Sequence, residues 1–265
     1  MKVIDLTDEL KKLYFVCLED WSEMMKEAGN HKEIWYNNMK NKGLGVKLAV
    51  DDNGEIGGMI QYIPIEYSVA EGNDLYFIPC IWIHNYQEGR GNFTGKGLGT
   101  ALLEAAEADV KSKGAKGMVA WGLTTNFWMM GSWFEKHGYS IVDKQEIQAL
   151  LWKPFYDDAI PPKWINQKKT PETIPGKVVV TTLINGWCPA QNRIFEIAKK
   201  AASEFGDMVI FREINTSDRD IFLEWGMADA LFIDEKKMRT GPIPFHHPSA
   251  YELIKKAIAE KVKKL

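Results

Sequence analysis

Six residues, Gly95-Lys96-Gly97-Leu98-Gly99-Thr100, restrict this chain more than any other stretch. They follow an apolar run, Leu75–His84, and a polar loop, and they open a run in which Leu98, Ala101, Leu102, Ala105 and Ala108 share one helical face. Glycines at such a passage let backbone approach a ligand, and the amides that begin a helix favour an anion. Two known phosphate loops fail on spacing. A Walker loop requires glycine where Arg90 stands and serine or threonine where Gly97 stands. A dinucleotide fingerprint requires G-x-G-x-x-G in an opening βα unit, whereas this G-x-G-x-G comes after several strands. The loop therefore belongs to a mixed sheet whose phosphate cradle sits in its middle.

The length of 265 residues predicts two domains. The first 155 residues carry 16 basic and 21 acidic side chains, the remainder 17 and 15, which leaves no basic excess for nucleic acid. No apolar run reaches the ~20 residues of a membrane span, and the start of the chain lacks a signal-peptide apolar region. Cys17, Cys80 and Cys188 are too scattered for a disulfide framework or a metal site. A cytoplasmic protein with no membrane, nucleic-acid or metal partner is expected.

The four prolines between Asp157 and Lys177 mark a linker, so the expected division is 1–155, a linker at 156–177, and 178–265. In the first part the pattern predicts a strand at Val3–Leu6 and a helix carrying Leu10, Leu13, Tyr14, Cys17, Leu18 and Trp21. A hairpin follows, Gly45–Val50 with Ile56–Val69 around an Asp-Asp-Asn-Gly turn, then the strand Leu75–His84. The glycine-led helix, a strand at Gly117–Trp121, a helix around Met129–His137 and strands from Tyr139 to Trp152 complete it. The second part reads β-α-β-α-β-α: Val178–Ile184, a helix through Ile194 and Phe205, Met208–Ile214, a helix over 218–225, Ala230–Ile233, and a last helix with a capping-box pattern at Ser249 and Glu252.

Thr94 to Gly99 closely resembles the acyl-CoA motif of the GNAT N-acetyltransferases, Gln/Arg-x-x-Gly-x-Gly/Ala. Phe134-Glu135-Lys136-His137-Gly138-Tyr139 is similar to that family's second signature. The resemblance implies an α+β, GNAT-type mixed sheet and acetyl-CoA (coenzyme A) as the co-substrate. It implies that Gly95, Lys96, Gly97, Leu98, Gly99 and Thr100 hold the pyrophosphate, that the backbone of Ile81, Trp82 and Ile83 pairs with the pantetheine arm, and that Asn126 and Phe134 complete the set. It also implies an amine acceptor, either a small molecule or a protein amino group. Three departures matter. Thr94 replaces Gln or Arg, the loop from His84 to Gly95 is longer than usual, and Phe134 stands where many members place a proton-donating tyrosine.

Transfer to an amine needs a base to take its proton. His84 at the end of the expected cofactor strand is the first choice and Glu88 in the following loop the second. Cys80 reads as a buried apolar cysteine. Trp121, Trp128 and Trp133 read as core or as lining of the acceptor cleft.

In the second part Trp187-Cys188-Pro189-Ala190-Gln191 sits between a strand and a helix, which resembles the thioredoxin-like fold with its second cysteine replaced by Gln191. A thiol at a helix N-terminus has its thiolate stabilised, so Cys188 is a redox candidate. The alternative is a retired scaffold used for binding or for homodimerisation. An acetyltransferase-like part followed by such a tail resembles the YoaP-type acetyltransferases. Two rival readings stand beside N-acetyl transfer: a non-catalytic acyl-CoA-binding sensor, and a thiol-dependent redox protein.

Overall fold

The computed structural model describes residues 1–125, 129–238 and 250–265. Asn126 and Trp128, and Ser249 of the capping box, lie outside the described residues. In chain order the elements are β1 (Lys2–Asp5), α1 (Lys11–Phe15), α2 (Glu23–Lys26), α3 (His31–Met39), β2 (Gly45–Val50), β3 (Ile56–Pro64), β4 (Ala70–Glu71), β5 (Leu75–Ile83), α4 (Leu98–Ser112), β6 (Gly117–Leu123), α5 (Gly131–Lys136), β7 (Ser140–Gln145), β8 (Gln148–Pro154) and β9 (Lys163–Trp164). They continue with β10 (Val178–Ile184), α6 (Pro189–Ser203), β11 (Val209–Asn215), α7 (Arg219–Trp225), β12 (Ala230–Ile233), β13 (Lys236–Lys237) and α8 (Ala250–Val262).

The chain divides into two compact units, Met1–Trp21 with Tyr36–Ile165, and Ser22–Trp35 with Asn166–Leu265. This division differs in two places from the one expected from the proline-rich stretch. Residues 156–165 stay with the first unit because β9 pairs with β4 and buries Trp164. Residues 22–35 go with the second because Glu27 accepts a hydrogen bond from Arg193 Nε at 2.8 Å, and His31 meets Glu196 at 2.6 Å and packs edge-on against Phe195.

The first unit is a seven-stranded sheet among the described residues, in the order β1-β2-β3-β5-β6-β8-β7. All its neighbours are antiparallel except β5 and β6, which run parallel because α4 crosses between them. The stripe Leu98, Leu102, Leu103, Ala106 and Val110 buries α4 on this sheet against Ile60, Ile78 and Met118. Strand β3 is buried along nearly its whole length, so it reads as a continuous apolar run rather than an alternation. It stops at Pro64, five residues short of the expected end at Val69.

The expected helix through Trp21 is a correction. Helix α1 covers only Lys11–Phe15 and ends in a Schellman-type closure: Leu18 N–H bonds the Leu13 carbonyl at 3.0 Å, with Cys17 and Leu18 at φ 51° and 67°. Tyr14 and Leu18 are both fully buried, and that packing outweighs the helical spacing of Trp21. The turn directs Glu19, Asp20 and Trp21 out of the helix.

The second unit is a four-stranded sheet in the order β11-β10-β12-β13, with β10 parallel to β11 and antiparallel to β12. Helices α6 and α8 pack on it through Ile194, Ala198, Ala201, Ile254 and Ile258. Asp218 caps α7, its Oδ1 accepting from the amides of Asp220 and Ile221.

Candidate functional site

Strands β5 and β6 pair only from Leu75↔Gly117 to Ile78↔Ala120, although β5 continues to Ile83 and β6 to Leu123. The two strands therefore splay apart. At the splay β5 carries Pro79, which has no amide to contribute to a ladder, and its register with β3 shifts between Gln61 and Ile63. Trp121 on β6 reaches back across the gap and donates Nε1–H to the Pro79 carbonyl at 2.8 Å. On the other edge, the His84 amide bonds the Gly57 carbonyl, so alternation turns Trp82 and His84 toward β3 and turns the backbone groups of Ile81 and Ile83 toward the splay.

A cavity of about 460 Å³ opens on the α4 side of this splay. Ile81 and Ile83 form its strand wall. Thr94, Gly95, Gly97, Leu98, Gly99 and Thr100 form its loop and helix wall, and Met129, Met130, Trp133 and Phe134 close it. Gly95 and Gly97 have φ 73° and 80°, and a side chain at either would meet open space, so conformation and not crowding requires glycine there. Gly97 caps α4 with no side-chain hydrogen bond, which leaves the first-turn amides of a 15-residue helix facing the cavity mouth. This is an anion cradle joined to an apolar slot. A diphosphate on an extended, hydrogen-bonding arm fits both parts.

Of the residues expected to hold that ligand, Ile81, Ile83, Gly95, Gly97, Leu98, Gly99, Thr100 and Phe134 line the cavity. Trp82 does not; strand alternation sends it to the opposite face of the sheet, where it packs toward Tyr86. Lys96 does not line it either, its Nζ standing 4.6 Å from the Phe93 ring centroid. Asn126 lies outside the described residues. Phe93, Met129 and Met130 were missed by motif reading because no spacing marks them, whereas Trp133, expected in the core or along the acceptor cleft, lines this cavity.

The sequence profile of the Acetyltransferase (GNAT) family matches residues 7–139, half of the chain. The chain belongs to that family. Similar solved structures of GNAT proteins include the PaiA N-acetyltransferase of Thermoplasma acidophilum in complex with coenzyme A, at 19% identity over 58% of this chain and 100% of that one, with a TM-score of 0.41. Others are YhbS of Escherichia coli in complex with CoA (10% identity, 62% and 88% covered, TM-score 0.43) and a Brucella melitensis GNAT acetyltransferase in complex with acetyl-CoA (14%, 60% and 90%, TM-score 0.40). Family membership rests on the profile match. No curated protein matches the chain.

Within this GNAT unit the expected base, His84, requires correction. It is fully buried and both ring nitrogens are engaged: Trp21 Nε1–H donates to Nε2 at 3.0 Å, and Nδ1 lies 2.8 Å from the Gly91 carbonyl. An indole can only donate, so Nε2 accepts and Nδ1 carries the proton to Gly91. The ring ties Trp21 and the loop after β5 together and offers no lone pair to a substrate. Glu88 is exposed in that loop. Phe134 is buried between Trp133 and Tyr139, with ring centroids at 5.0 and 5.4 Å. The neighbouring Tyr139 hydroxyl is committed to Glu107, 3.1 Å away.

The face of β5 away from the cavity holds a second constellation. Trp21, Trp82, His84 and Tyr86 pack with ring centroids 5.6–6.2 Å apart. Burial pushes the Glu19 carboxyl up from an ordinary 4.5 to about 7, and burial together with the Glu19 carboxylate pushes the Tyr86 hydroxyl up to about 12. Sequence reading passed over Glu19 because it was assigned to a helix that the structure ends four residues earlier.

In the second unit Cys188 occupies the N-cap of α6 with Pro189 at the first helical position, and it is buried. Among the described residues no cluster of His, Cys, Asp or Glu has the grouping to hold a metal ion, and no helix is long and apolar enough to cross a membrane.

Proposed function

We propose that the first unit is an acetyl-CoA-dependent N-acetyltransferase acting on an amine. The observation that carries the reading is the splay of β5 from β6 beside the glycine-led start of α4. In this reading the first-turn amides of Leu98, Gly99 and Thr100 hold the pyrophosphate. The outward backbone groups of Ile81 and Ile83 pair with the pantetheine amides, and Phe134 and Trp133 pack against the arm. When bound, acetyl-CoA supplies the activated acyl group. The chain's own residues orient it, exclude water with an apolar wall, and receive the amine proton. Isothermal calorimetry with CoA and acetyl-CoA tests the site, and absence of binding by both removes the reading. Product formation across a panel of primary amines separates the enzyme from an acyl-CoA-binding sensor, which would bind and never turn over.

For the second unit we propose a thioredoxin-like fold and, with it, the YoaP-type architecture. The strand order with one parallel and two antiparallel pairings, and a helix capped by Cys188, support it. That N-cap position favours a second reading, a monothiol activity of Cys188. Alkylation of the intact protein by iodoacetamide across pH tests it: a rate midpoint near ~8.5, that of an ordinary thiol, removes it.

A further inference from the structure

Glu19 is only 4% exposed, and its Oε2 has no hydrogen-bond partner among the described residues. A buried carboxyl oxygen without a donor is rare in a folded protein, because the desolvation of that atom goes uncompensated. Two buried donors on β3 and β5 are in the same condition. Gln61 Nε2 and Trp82 Nε1 both lack partners among the described residues, although the other end of the Gln61 amide accepts from Tyr14 at 2.6 Å. The register places Gln61 opposite Cys80, and strand alternation puts Cys80 and Trp82 on the face turned away from the α4 cavity. Glu19 reaches the same place from the turn after α1, beside Tyr86, which packs on Trp82 and Trp21. A buried acidic group beside Tyr86, whose ring packs on Trp21 and Trp82, lies with them on the face of the sheet opposite the anion cradle, and a carboxylate next to aromatic faces suits a cation.

We propose that Glu19 is the catalytic base of this unit and that it holds the acceptor, a primary amine, against Trp21, Trp82 and Tyr86. The proposal rests on the acetyl-transfer reading of the splayed strands. In the step, the Glu19 carboxylate takes a proton from the bound ammonium. The freed nitrogen pair forms the C–N bond to the acyl carbon. The C–S bond breaks, its electron pair leaves on the sulfur of CoA, and the second proton of the attacking nitrogen passes to that thiolate, so that CoA departs as the thiol. The product is an amide, and the proton resides on Glu19 until solvent removes it. No further reactant is needed.

Position and chemistry agree. The thioester arm reaches the splay from the α4 side, and the amine reaches it from the opposite side, which is the geometry of direct attack. Burial holds the carboxyl near neutrality, where a base can both lose and accept a proton during turnover. The ionisable groups around it leave it the one that titrates into this role. Tyr86 stays protonated up to about 12, His84 has both nitrogens engaged, and the next residue, Asp20, is paired with Arg90 at 3.3 Å.

The experiment compares the full chain with Glu19→Gln and Glu19→Asp. Three readouts are used: CoA affinity by calorimetry, tryptophan-fluorescence titration with n-butylamine and phenethylamine, and acetyl transfer to the same two amines followed by thiol release. Expected for Glu19→Gln are a CoA affinity within twofold of the parent, a fluorescence-detected amine affinity at least tenfold weaker, and a kcat lower by ~10²-fold, the scale of a lost general base. The acidic limb of the parent kcat profile, with its midpoint near 7, disappears in Glu19→Gln and returns shifted in Glu19→Asp. A Glu19→Gln enzyme with the parent rate and pH limb overturns the proposal, as does a parent protein that binds CoA but neither binds nor acetylates either amine. A parent protein that does not bind CoA overturns the acetyl-transfer reading itself and this proposal with it.

Discussion

Trp21 Nε1 donates a 3.0 Å hydrogen bond to His84 Nε2, and this bond fixes which nitrogen of the imidazole holds the proton. With Nδ1 turned to the Gly91 carbonyl, His84 closes the loop that follows β5 onto the turn that follows α1. A histidine spent in this way stabilises the fold and takes no part in proton transfer. His84→Ala removes a fully buried ring and takes the partner from the part-buried Trp21 indole N–H and Gly91 carbonyl. The expected loss of stability is about 2–3 kcal/mol, measured by urea unfolding. CoA affinity should remain within threefold of the parent, because the cavity wall is made by Ile81 and Ile83. A stable His84→Ala protein would show that water satisfies these groups and that the histidine is free for another task.

Gly97→Ala tests the anion cradle through its backbone alone. The added methyl would meet nothing within 4 Å, so any effect comes from the φ of 80° that alanine adopts at a cost. Relief of that strain would swing the first-turn amides of α4 away from the cavity. The expected result is CoA binding at least tenfold weaker by calorimetry, with a stability loss of about 1 kcal/mol. Unchanged affinity would place the phosphates elsewhere.

How much of this was written in the sequence depends on the range of the interaction. The Asp-Asp-Asn-Gly turn and the glycine loop are local, and each fell where its spacing placed it. The helix after the loop formed as well, but it buries Leu98, Leu102, Leu103, Ala106 and Val110 and leaves Ala108 of the expected face exposed, because the sheet it packs on decides which side turns inward. The run from Leu10 to Trp21 has helical spacing too, but its course is set by what Tyr14 and Leu18 pack against, residues far away in the chain. The same is true of residues 22–35, whose attachment to α6 rests on Glu27 with Arg193 and His31 with Glu196. No periodicity announces pairs more than 160 residues apart. Within the candidate site, glycines carry a signature because their conformation is special. Glu19 carries none, because its character comes from burial.

Asp229 offers a prediction on pH. Burial raises its carboxyl from an ordinary 3.8 to about 6, although its Oδ1 accepts the Asn185 amide at 3.0 Å. In the unfolded chain the group ionises near 3.8; in the folded chain it holds its proton to about 6. The folded state therefore binds more protons across that interval, and the stabilisation present below 3.8 is lost as pH rises to about 6. Asp229→Asn keeps the acceptor oxygen and removes the titration. Its unfolding midpoint in urea should rise relative to the parent as pH goes from 4 to 7, and the two proteins should converge at low pH. A constant difference at all pH values would assign the effect to packing.

Glu107 makes a partly buried charge contact between α4 and β8. It is 6% exposed, and its two oxygens accept from Lys153 Nζ at 3.0 and 2.8 Å while Oε1 also accepts from the Tyr139 hydroxyl at 3.1 Å. The contact joins the helix to β8 and to the residue that ends the second signature motif. Removing one charge strands the other in a poorly solvated site, which is the costly way to break such a pair. Glu107→Gln and Lys153→Met should each lower stability by about 2 kcal/mol, less than for a fully buried pair because Lys153 is part-exposed. The double variant should cost clearly less than the sum, with a coupling of about 1–2 kcal/mol in the cycle. Because the network lies more than two turns from Gly97, CoA affinity should stay within twofold in all three proteins. Additive losses would mean that each side chain acts through its own packing, and a parallel fall in CoA affinity would mean that the pair sets the position of the helix start.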